Sequence, residues 1–296
     1  MADRFRVAAH AKANLFLRIL ARETSGYHGL ETVFALVELA DEIVVERTAS
    51  GLELEVEGAD VGPSDENLAY RAARLVLDGT GNRFGVRMRI RKNIPARAGL
   101  GGGSSDAAAA LHLLNALADG AIPRHELIQL AARLGADVPF FASGSPLALA
   151  WNRGDRLYRL VPPPRAPALI AVPPVGISTA AAYQMLDEVV NFAESRATVV
   201  LDAGSFETWG GIGRLGGNDF ESVVFAQQPR LRQLFEKTAE TRPLLVRMSG
   251  SGSAIIAIHK SEAELDSAAL TLGERDLRLI RTWTRTSPAP APEPWS

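Results

Sequence analysis

The stretch Pro95-Ala-Arg-Ala-Gly-Leu-Gly-Gly-Gly-Ser-Ser-Asp106 runs without a break into Ala107-Ala-Ala-Ala-Leu111-His-Leu-Leu-Asn-Ala-Leu117. A run of glycines opens an alanine-rich helix. Glycine reaches positive φ and lets a ligand approach the backbone with no Cβ in the way. The start of a helix presents unpaired N–H groups and the positive end of its dipole, which together bind anions. Ser104, Ser105 and Asp106 are placed to cap that helix, and the two hydroxyls to reach phosphate or a metal. The expected ligand is a nucleotide phosphate, held by Pro95, Ala96, Arg97, Ala98, Gly99, Leu100, Gly101, Gly102, Gly103, Ser104 and Ser105.

The type of loop excludes two familiar readings. It lacks the Lys-Ser/Thr ending of a Walker sequence, so no lysine within it reaches the terminal phosphates. The run before it, Phe84-Gly-Val-Arg-Met-Arg-Ile-Arg91, alternates strictly and reads as a strand with one buried and one wet face. A central Rossmann strand is buried on both faces, and no acidic residue ends a second strand at the distance a dinucleotide fold requires. A glycine loop tightened only for helix packing is the plain alternative.

Outward from this loop, strands and helices segregate locally, which predicts an α+β protein rather than a regular parallel sheet. Alternation predicts strands at residues 4–11, 14–21, 30–38, 41–47 and 52–57, with a turn at Ser25-Gly26. A helix is expected from Ser64, another over 123–134, and a hairpin around Asn152-Arg-Gly-Asp155. Val161-Pro-Pro-Pro-Arg-Ala-Pro167 is the clearest break in composition. It divides an N-terminal domain, 1–162, from a C-terminal domain, 163–285. Beyond it the sequence predicts a strand at 168–172, a helix from Ser178 or Thr179, a polar glycine-rich stretch near 204–217, helices near 230–239 and 262–272, and apolar runs at 243–248 and 254–258. Residues 286–296, rich in proline and alanine, are expected to be disordered.

Composition narrows the function classes. The 296 residues are 47% hydrophobic and 22% charged with a formal net charge of −2, which suits a soluble protein without a basic field for nucleic acid. The absence of cysteine excludes disulfides and thiolate chemistry. No signal-like N-terminus or membrane-length apolar run is present, so a cytoplasmic enzyme with no membrane partner is the expectation.

Other residues are candidates for chemistry. Lys12 and Asn14, in Ala11-Lys-Ala-Asn-Leu-Phe-Leu17, share one face of a strand. They either orient a phosphate and a hydroxyl or simply face water. Asp137, in Leu134-Gly-Ala-Asp-Val-Pro-Phe-Phe141, is either a helix cap or a general base for an alcohol. Tyr27-His28 suits a planar base or an ordinary turn. Arg247-Met-Ser-Gly-Ser-Gly-Ser-Ala254 is a plain hairpin or a second phosphate-approach loop. No zinc spacing is present, and direct metal ligands are unknown.

In order along the chain, Lys12, Pro95–Ser105 and Met248–Ala254 match the three signatures of the GHMP kinase superfamily. The finer segments Ala11–Leu17, Gly26-Tyr-His, Leu134–Phe141 and Asn218-Asp-Phe-Glu221 resemble its family that acts on 4-diphosphocytidyl-2-C-methyl-D-erythritol. That resemblance implies a two-lobed fold, with a ribosomal-S5-like N-terminal nucleotide domain and a ferredoxin-like C-terminal domain. It implies transfer of the ATP γ-phosphate, with Mg²⁺, to the substrate's 2-hydroxyl, a step of the non-mevalonate route to isopentenyl diphosphate. By motif match Asp137 would be the base, Lys12 its electrostatic partner, and Asn14 the residue that orients the hydroxyl. Tyr27, His28 and Tyr183 would hold the cytidine, and Thr179 would lie near the reaction centre. Gly29, Ala13 and Trp151–Asp155 depart from the family's commoner residues. A homoserine- or mevalonate-type kinase, a related decarboxylase and a non-catalytic nucleotide-binding module are the alternatives, and oligomeric state is not legible.

Overall fold

Two long antiparallel strands, β1 (Arg4–Arg22) and β2 (His28–Thr48), begin the chain. The computed structural model describes residues 2–22, 26, 28–59, 62–189, 199–273 and 276–295, so Ser25 and Tyr27 lie outside the described residues. The alternation predicted four shorter strands here, because polar residues interrupt the pattern. The interruptions are irregularities within continuous strands. Register shifts fall between His10 and Lys12 and between Asn14 and Phe16. Such a shift bends a strand and re-aims its side chains without ending the ladder. Lys12, Ala13 and Asn14 sit between the two shifts.

The sheet is completed by β3 (Leu52–Glu57), β4 (Gly85–Arg91), β5 (Leu147–Asn152) and β6 (Arg156–Arg159). β4 runs antiparallel to β2 and parallel to β3, while β5 pairs with the other half of β2 and with β6. The alternation before the glycine loop is realised in full. Val86, Met88 and Ile90 are buried, and Arg87, Arg89 and Arg91 pair with Glu53, Glu55 and Glu42 on the wet side. The first helix, α1 (Leu68–Gly79), starts later than predicted. Ser64–Glu66 form a single 3-10 turn, and Asn67 is the cap, its side chain accepting from Ala69 N–H at 2.9 Å. Three further helices, α2 (Gly102–Leu117), α3 (Arg124–Ala132) and α4 (Val138–Ser143), complete this half.

A second, antiparallel sheet is built from β7 (Pro167–Val172), β8 (Leu245–Met248), β9 (Ile255–Ile258) and β10 (Arg278–Trp283), in the order β10-β7-β9-β8. Its helices are α5 (Thr179–Val189), α6 (Trp209–Arg214), α7 (Asp219–Gln227), α8 (Pro229–Glu240) and α9 (Glu262–Leu272). The polar glycine-rich stretch near 204–217 contains a 3-10 turn at Ala203–Phe206 followed by α6. Glycine disfavours helix, but burial of Trp209 and Ile212 overrides that preference. Among the described residues no helix is long and apolar enough to cross a membrane.

β1 is the spine of the molecule. Ala9 joins the core between the first sheet and its helices, Ala11, Leu15 and Phe16 join the core between the two sheets, and Leu17 and Ile19 join the core of the second half. The expected disorder of 286–296 is corrected for residues 286–295 by the free edge of β1, and Ser296 lies outside the described residues. There β11 (Glu293–Pro294) pairs with Phe5 and Arg6, and Trp295 N–H donates to Arg4 O at 3.0 Å. The Arg4 guanidinium lies 3.9 Å from the Trp295 ring centroid, and Ala289 N–H donates to Gly144 O. Composition showed only that the segment builds no core of its own. An open strand edge accepts proline and needs cover.

One buried group on β1 makes stability depend on pH. His10 is 6% exposed, against Val37 O at 3.1 Å, and its imidazole is lowered from 6.5 to about 4, first by burial and then by Arg285. The fold holds the neutral ring, so this contribution is complete above pH 6.5 and is lost as pH falls towards 4. A shift of that size is worth about 3 kcal/mol. His112 and His259 are lowered in the same direction by burial, so they add to the slope. Denaturant midpoints at pH 7.5, 6 and 5 are expected to fall more steeply for the wild type than for His10→Gln. Parallel curves for the two proteins would remove His10 from this account.

Candidate active site

The glycine loop joins β4 to α2. Gly99 and Gly101 have φ of +79° and +70°. A Cβ on Gly99 would lie 1.9 Å from Ser249 O, and one on Gly101 would lie 2.8 Å from Phe141 Cζ and 3.0 Å from Lys12 Cγ. Both positions need glycine for conformation and for space. The left-handed Gly101 caps α2, whose first backbone bond runs from Ser105 N–H to Gly101 O at 2.9 Å. The first-turn N–H groups therefore carry the anion-binding character of the helix end.

Ser104, Ser105 and Asp106 lie within the helix and do not cap it. The glycine at the cap position already turns the chain. Ser105 O–H donates to His10 O at 2.7 Å and ties α2 to β1, while Asp106 accepts from Lys92 Nζ at 2.6 Å. Ser104 is half-buried and Gly103 is exposed with open space beside it. Pro95 is half-buried, and Ala96 and Arg97 are exposed. Ala98 and Leu100 turn inward, their carbonyls accepting from Ala254 N–H and Lys12 N–H, each at 3.0 Å.

Lys12 and Asn14 do not face water. Each is 3% exposed, and Ala11 and Ala13 bury the opposite face of β1. The Lys12 ammonium donates to Asn14 Oδ1 and to Gly99 O at 3.0 Å, and lies 3.4 Å from Asp137 Oδ2. Asn14 Nδ2–H donates to Thr32 Oγ1 at 2.8 Å, and Thr32 in turn donates to Phe16 O at 2.6 Å. That chain fixes the amide with its oxygen toward lysine. Asp137 stands at the cap position of α4, yet its side chain makes no capping bond. Its side chain is 33% exposed, joined to Lys12 on one side and open on the other.

The second glycine loop closes over these residues. Ser249 Oγ–H donates to Gly99 O at 2.8 Å and accepts from Asn14 N–H at 3.2 Å. A Cβ on Gly250 would lie 3.3 Å from Asn14 Oδ1 and 3.5 Å from Lys12 Nζ. Asn218 holds this loop, donating from Nδ2 to Met248 O at 2.8 Å and Gly250 O at 2.6 Å, and Glu221 accepts from Met248 N–H at 2.9 Å. Thus Asn218-Asp-Phe-Glu221 both caps α7 and fastens the loop.

A second group of side chains lies along α5. His28 stacks on Tyr183 with ring centroids 4.6 Å apart, and Tyr183 meets Phe220 edge-on at 4.9 Å. His28 Nε2 contacts Asp187 Oδ1 at 2.6 Å. A carboxylate only accepts, so Nε2 carries the donated proton. The Tyr183 phenol is pushed up to about 12, first by burial and then by the negative charge of Asp137, which puts the two groups of side chains within electrostatic reach. Thr179, at the start of α5, places Oγ1 3.2 Å from Ser251 Oγ in the second glycine loop. Tyr27 lies outside the described residues.

Sequence reading missed Thr32, Asp187 and the loop-fastening role of Asn218. Asp187 was accessible in principle, because it follows Tyr183 by four residues and so shares its helix face. Thr32 carried no signal, since its contact is made across strands. The hairpin at Trp151–Asp155 forms despite its unusual residues. Asn152 takes a φ of +68°, and its Nδ2–H donates to Asp155 Oδ1 at 2.9 Å.

A glycine-opened helix without a Walker lysine, facing a Lys–Asp pair from other elements, defines a small-molecule kinase outside the P-loop class. Residues 67–145 match the model of the GHMP kinases N terminal domain, and residues 197–276 match that of the GHMP kinases C terminal. A 4-diphosphocytidyl-2-C-methyl-D-erythritol kinase from Pelotomaculum thermopropionicum is 39% identical, covering 88% of this chain and 90% of that protein. The chain belongs to the 4-diphosphocytidyl-2-C-methyl-D-erythritol kinase family of GHMP kinases. A crystal structure of 4-(cytidine 5'-diphospho)-2C-methyl-D-erythritol kinase superposes with a TM-score of 0.80 at 35% identity, over 94% of this chain and 98% of that one. Homoserine kinase from Cytophaga hutchinsonii, at 17% identity and a TM-score of 0.70 over 99% and 98%, shares the fold.

Proposed function

We infer that the protein transfers the γ-phosphate of ATP to the 2-hydroxyl of 4-diphosphocytidyl-2-C-methyl-D-erythritol, in the non-mevalonate route to isopentenyl diphosphate, in the cytoplasm. The observation that carries this reading is the Lys12 ammonium, 3.0 Å from Gly99 O of the glycine loop and 3.4 Å from Asp137. The base and the phosphate-binding helix end are thereby held on either side of one cation.

In this reading the N–H groups at the start of α2 receive the ATP phosphates. The Asp137 carboxylate takes the proton of the 2-hydroxyl as that oxygen bonds to the γ-phosphorus. The bond from phosphorus to the bridging oxygen breaks, and ADP leaves with its electron pair. Lys12 offsets charge between base and phosphoryl group, where phosphoryl transfer needs positioning and electrostatic stabilisation most. Asn14 orients the hydroxyl, and Thr179 lies beside the loop that covers it. Residues 1–162 form the nucleotide domain and 163–285 the substrate domain in this assignment.

Magnesium fits these residues as an ion carried on the nucleotide. Mg²⁺ usually keeps several waters and takes one or two carboxylates plus substrate phosphates. Among the described residues no cluster of three or more His, Cys, Asp or Glu forms an all-protein cage, and the half-buried Ser104 at the start of α2 carries a hydroxyl oxygen that would suit such an ion. The ion would neutralise phosphate charge when bound.

His28 and Tyr183 are assigned to the cytosine, with Tyr27 as a sequence-based third member. The test measures ATP turnover with the cytidyl diphosphate substrate, its uridyl analogue, homoserine and mevalonate. Turnover confined to the cytidyl compound is expected, since cytosine and uracil reverse donor and acceptor roles at the exocyclic group. Equal use of the uridyl analogue would remove the base-recognition reading, and preference for homoserine or mevalonate would remove the substrate. Tyr183→Ala should raise the substrate KM by roughly 5- to 150-fold, equivalent to about 1–3 kcal/mol for a lost stacking face, with the ATP KM unchanged.

A further inference from the structure

The two ends of the phosphate loop are tied together by charges that the proposed chemistry does not use. Lys92, Asp41 and Asp106 have side chains 7%, 0% and 5% exposed. The Lys92 ammonium donates to Asp41 Oδ2 and, at 2.6 Å, to Asp106 Oδ2. Asp41 Oδ1 accepts from Asn93 N–H at 2.5 Å and Ile94 N–H at 2.8 Å. The same carboxylate therefore holds the chain just as it leaves β4 for the loop. Asp106 lies within α2, just beyond the loop's other end. A Cβ on Gly102 would lie 3.3 Å from Lys92 Nζ, so the ammonium sits directly beneath the helix start.

Packing does not explain this arrangement. Ala107 to Ala110 and Leu111 continue α2 as buried apolar residues. Asp106 Oδ1 is buried with no hydrogen-bond partner, which is destabilising for a polar atom taken out of water. Buried ion groups are often no more stabilising than apolar residues of similar volume. A carboxylate kept here at a cost, bonded to the residue three positions before the loop, points to a role in fixing geometry.

We propose that Lys92, with Asp41 and Asp106, is a clamp that fixes the span of residues 95–101 and so sets the affinity of the loop for the nucleotide phosphates. Lys92 and Asp106 are positioning residues and touch no reacting atom. The clamp rests on the loop being the ATP site. Its effect falls first on ATP, because His28, Tyr183 and Asp137 are carried by other elements and the loop meets the base only through the Gly99 O bond to Lys12.

Asp106→Ala cuts the tie on the helix side, leaves the Lys92–Asp41 pair intact and places a strong helix former in α2. It is expected to raise the ATP KM and the calorimetric Kd for ATP at least 10-fold. The KM of the cytidyl substrate and kcat at saturating ATP should stay within about threefold. Asp106→Asn, whose amide oxygen still accepts from Lys92, should recover most of the affinity and serves as the comparison if the alanine variant does not fold. A folded Asp106→Ala with wild-type ATP affinity would overturn the clamp while leaving the ATP site standing. So would equal losses for both substrates, or Asp106→Asn binding ATP as weakly as the alanine variant. A folded wild-type protein that binds no ATP would overturn the loop assignment and the clamp with it.

Discussion

Asp137→Asn is expected to lower kcat by about 10²- to 10⁴-fold while ATP binds with nearly wild-type affinity. The amide has almost the same shape as the carboxylate and stands at the same place, just ahead of Val138 at the start of α4. Because Asp137 makes no side-chain capping bond, the exchange removes no support from the helix. What changes is chemical. An amide takes no proton from the attacking hydroxyl, and loss of general-base help costs about 10²–10⁴ in rate. It also leaves the buried Lys12 ammonium without a charged partner at 3.4 Å, although Asn14 Oδ1 and Gly99 O still accept from it. Single-turnover phosphoryl transfer at saturating ATP isolates the effect from product release. Calorimetry with ATP checks that the loop is intact. A folded variant with undiminished turnover would eliminate Asp137 as an essential base.

Much of this site was legible because its signals are local. The glycines before α2 announce a backbone that must turn and be approached. The alternation of β4 excluded a Rossmann sheet from seven residues. Lys12 and Asn14 were assigned to one strand face from spacing alone. The failures are those of long-range structure. Polar residues at the centre of β1 look like a strand end unless the partner that buries them is known. Here Asp137 and Gly99 are 125 and 87 positions from Lys12, and Thr32 is 18 from Asn14, so no local window of sequence contains them. Asp137 itself was ambiguous between cap and base, because the position and the following proline suit both. In the structure its side chain makes no capping bond, which removes the cap reading. The tail misled for a related reason: composition describes what Pro288–Trp295 can build alone, whereas its order comes from the unpaired edge of β1.

Gly99→Ala is expected to be the most damaging single substitution in the loop, with effects on stability as well as on ATP. The added Cβ would stand 1.9 Å from Ser249 O and 2.9 Å from the carbonyl carbon, both backbone atoms that no side-chain rotation can move aside. The φ of +79° adds strain of its own for an L-residue with a side chain. Relief requires the two glycine loops to separate. That movement would disturb the Ser249 hydroxyl bond to Gly99 O, the Ala254 N–H bond to Ala98 O and the Lys12 ammonium bond to Gly99 O. Strain at a special φ together with a broken buried network belongs to the class of changes that cost roughly 3 kcal/mol or more. Gly101→Val meets a softer obstacle, the edge of Phe141 and the Lys12 stem, so it should spare the fold more and weaken ATP binding. Gly103→Ala, with open space and no positive φ, is the control and should change the melting temperature little. Denaturant midpoints and ATP calorimetry on the three variants give the test. An order of damage other than Gly99, then Gly101, then Gly103 would show that the loops do not meet at Gly99 as described.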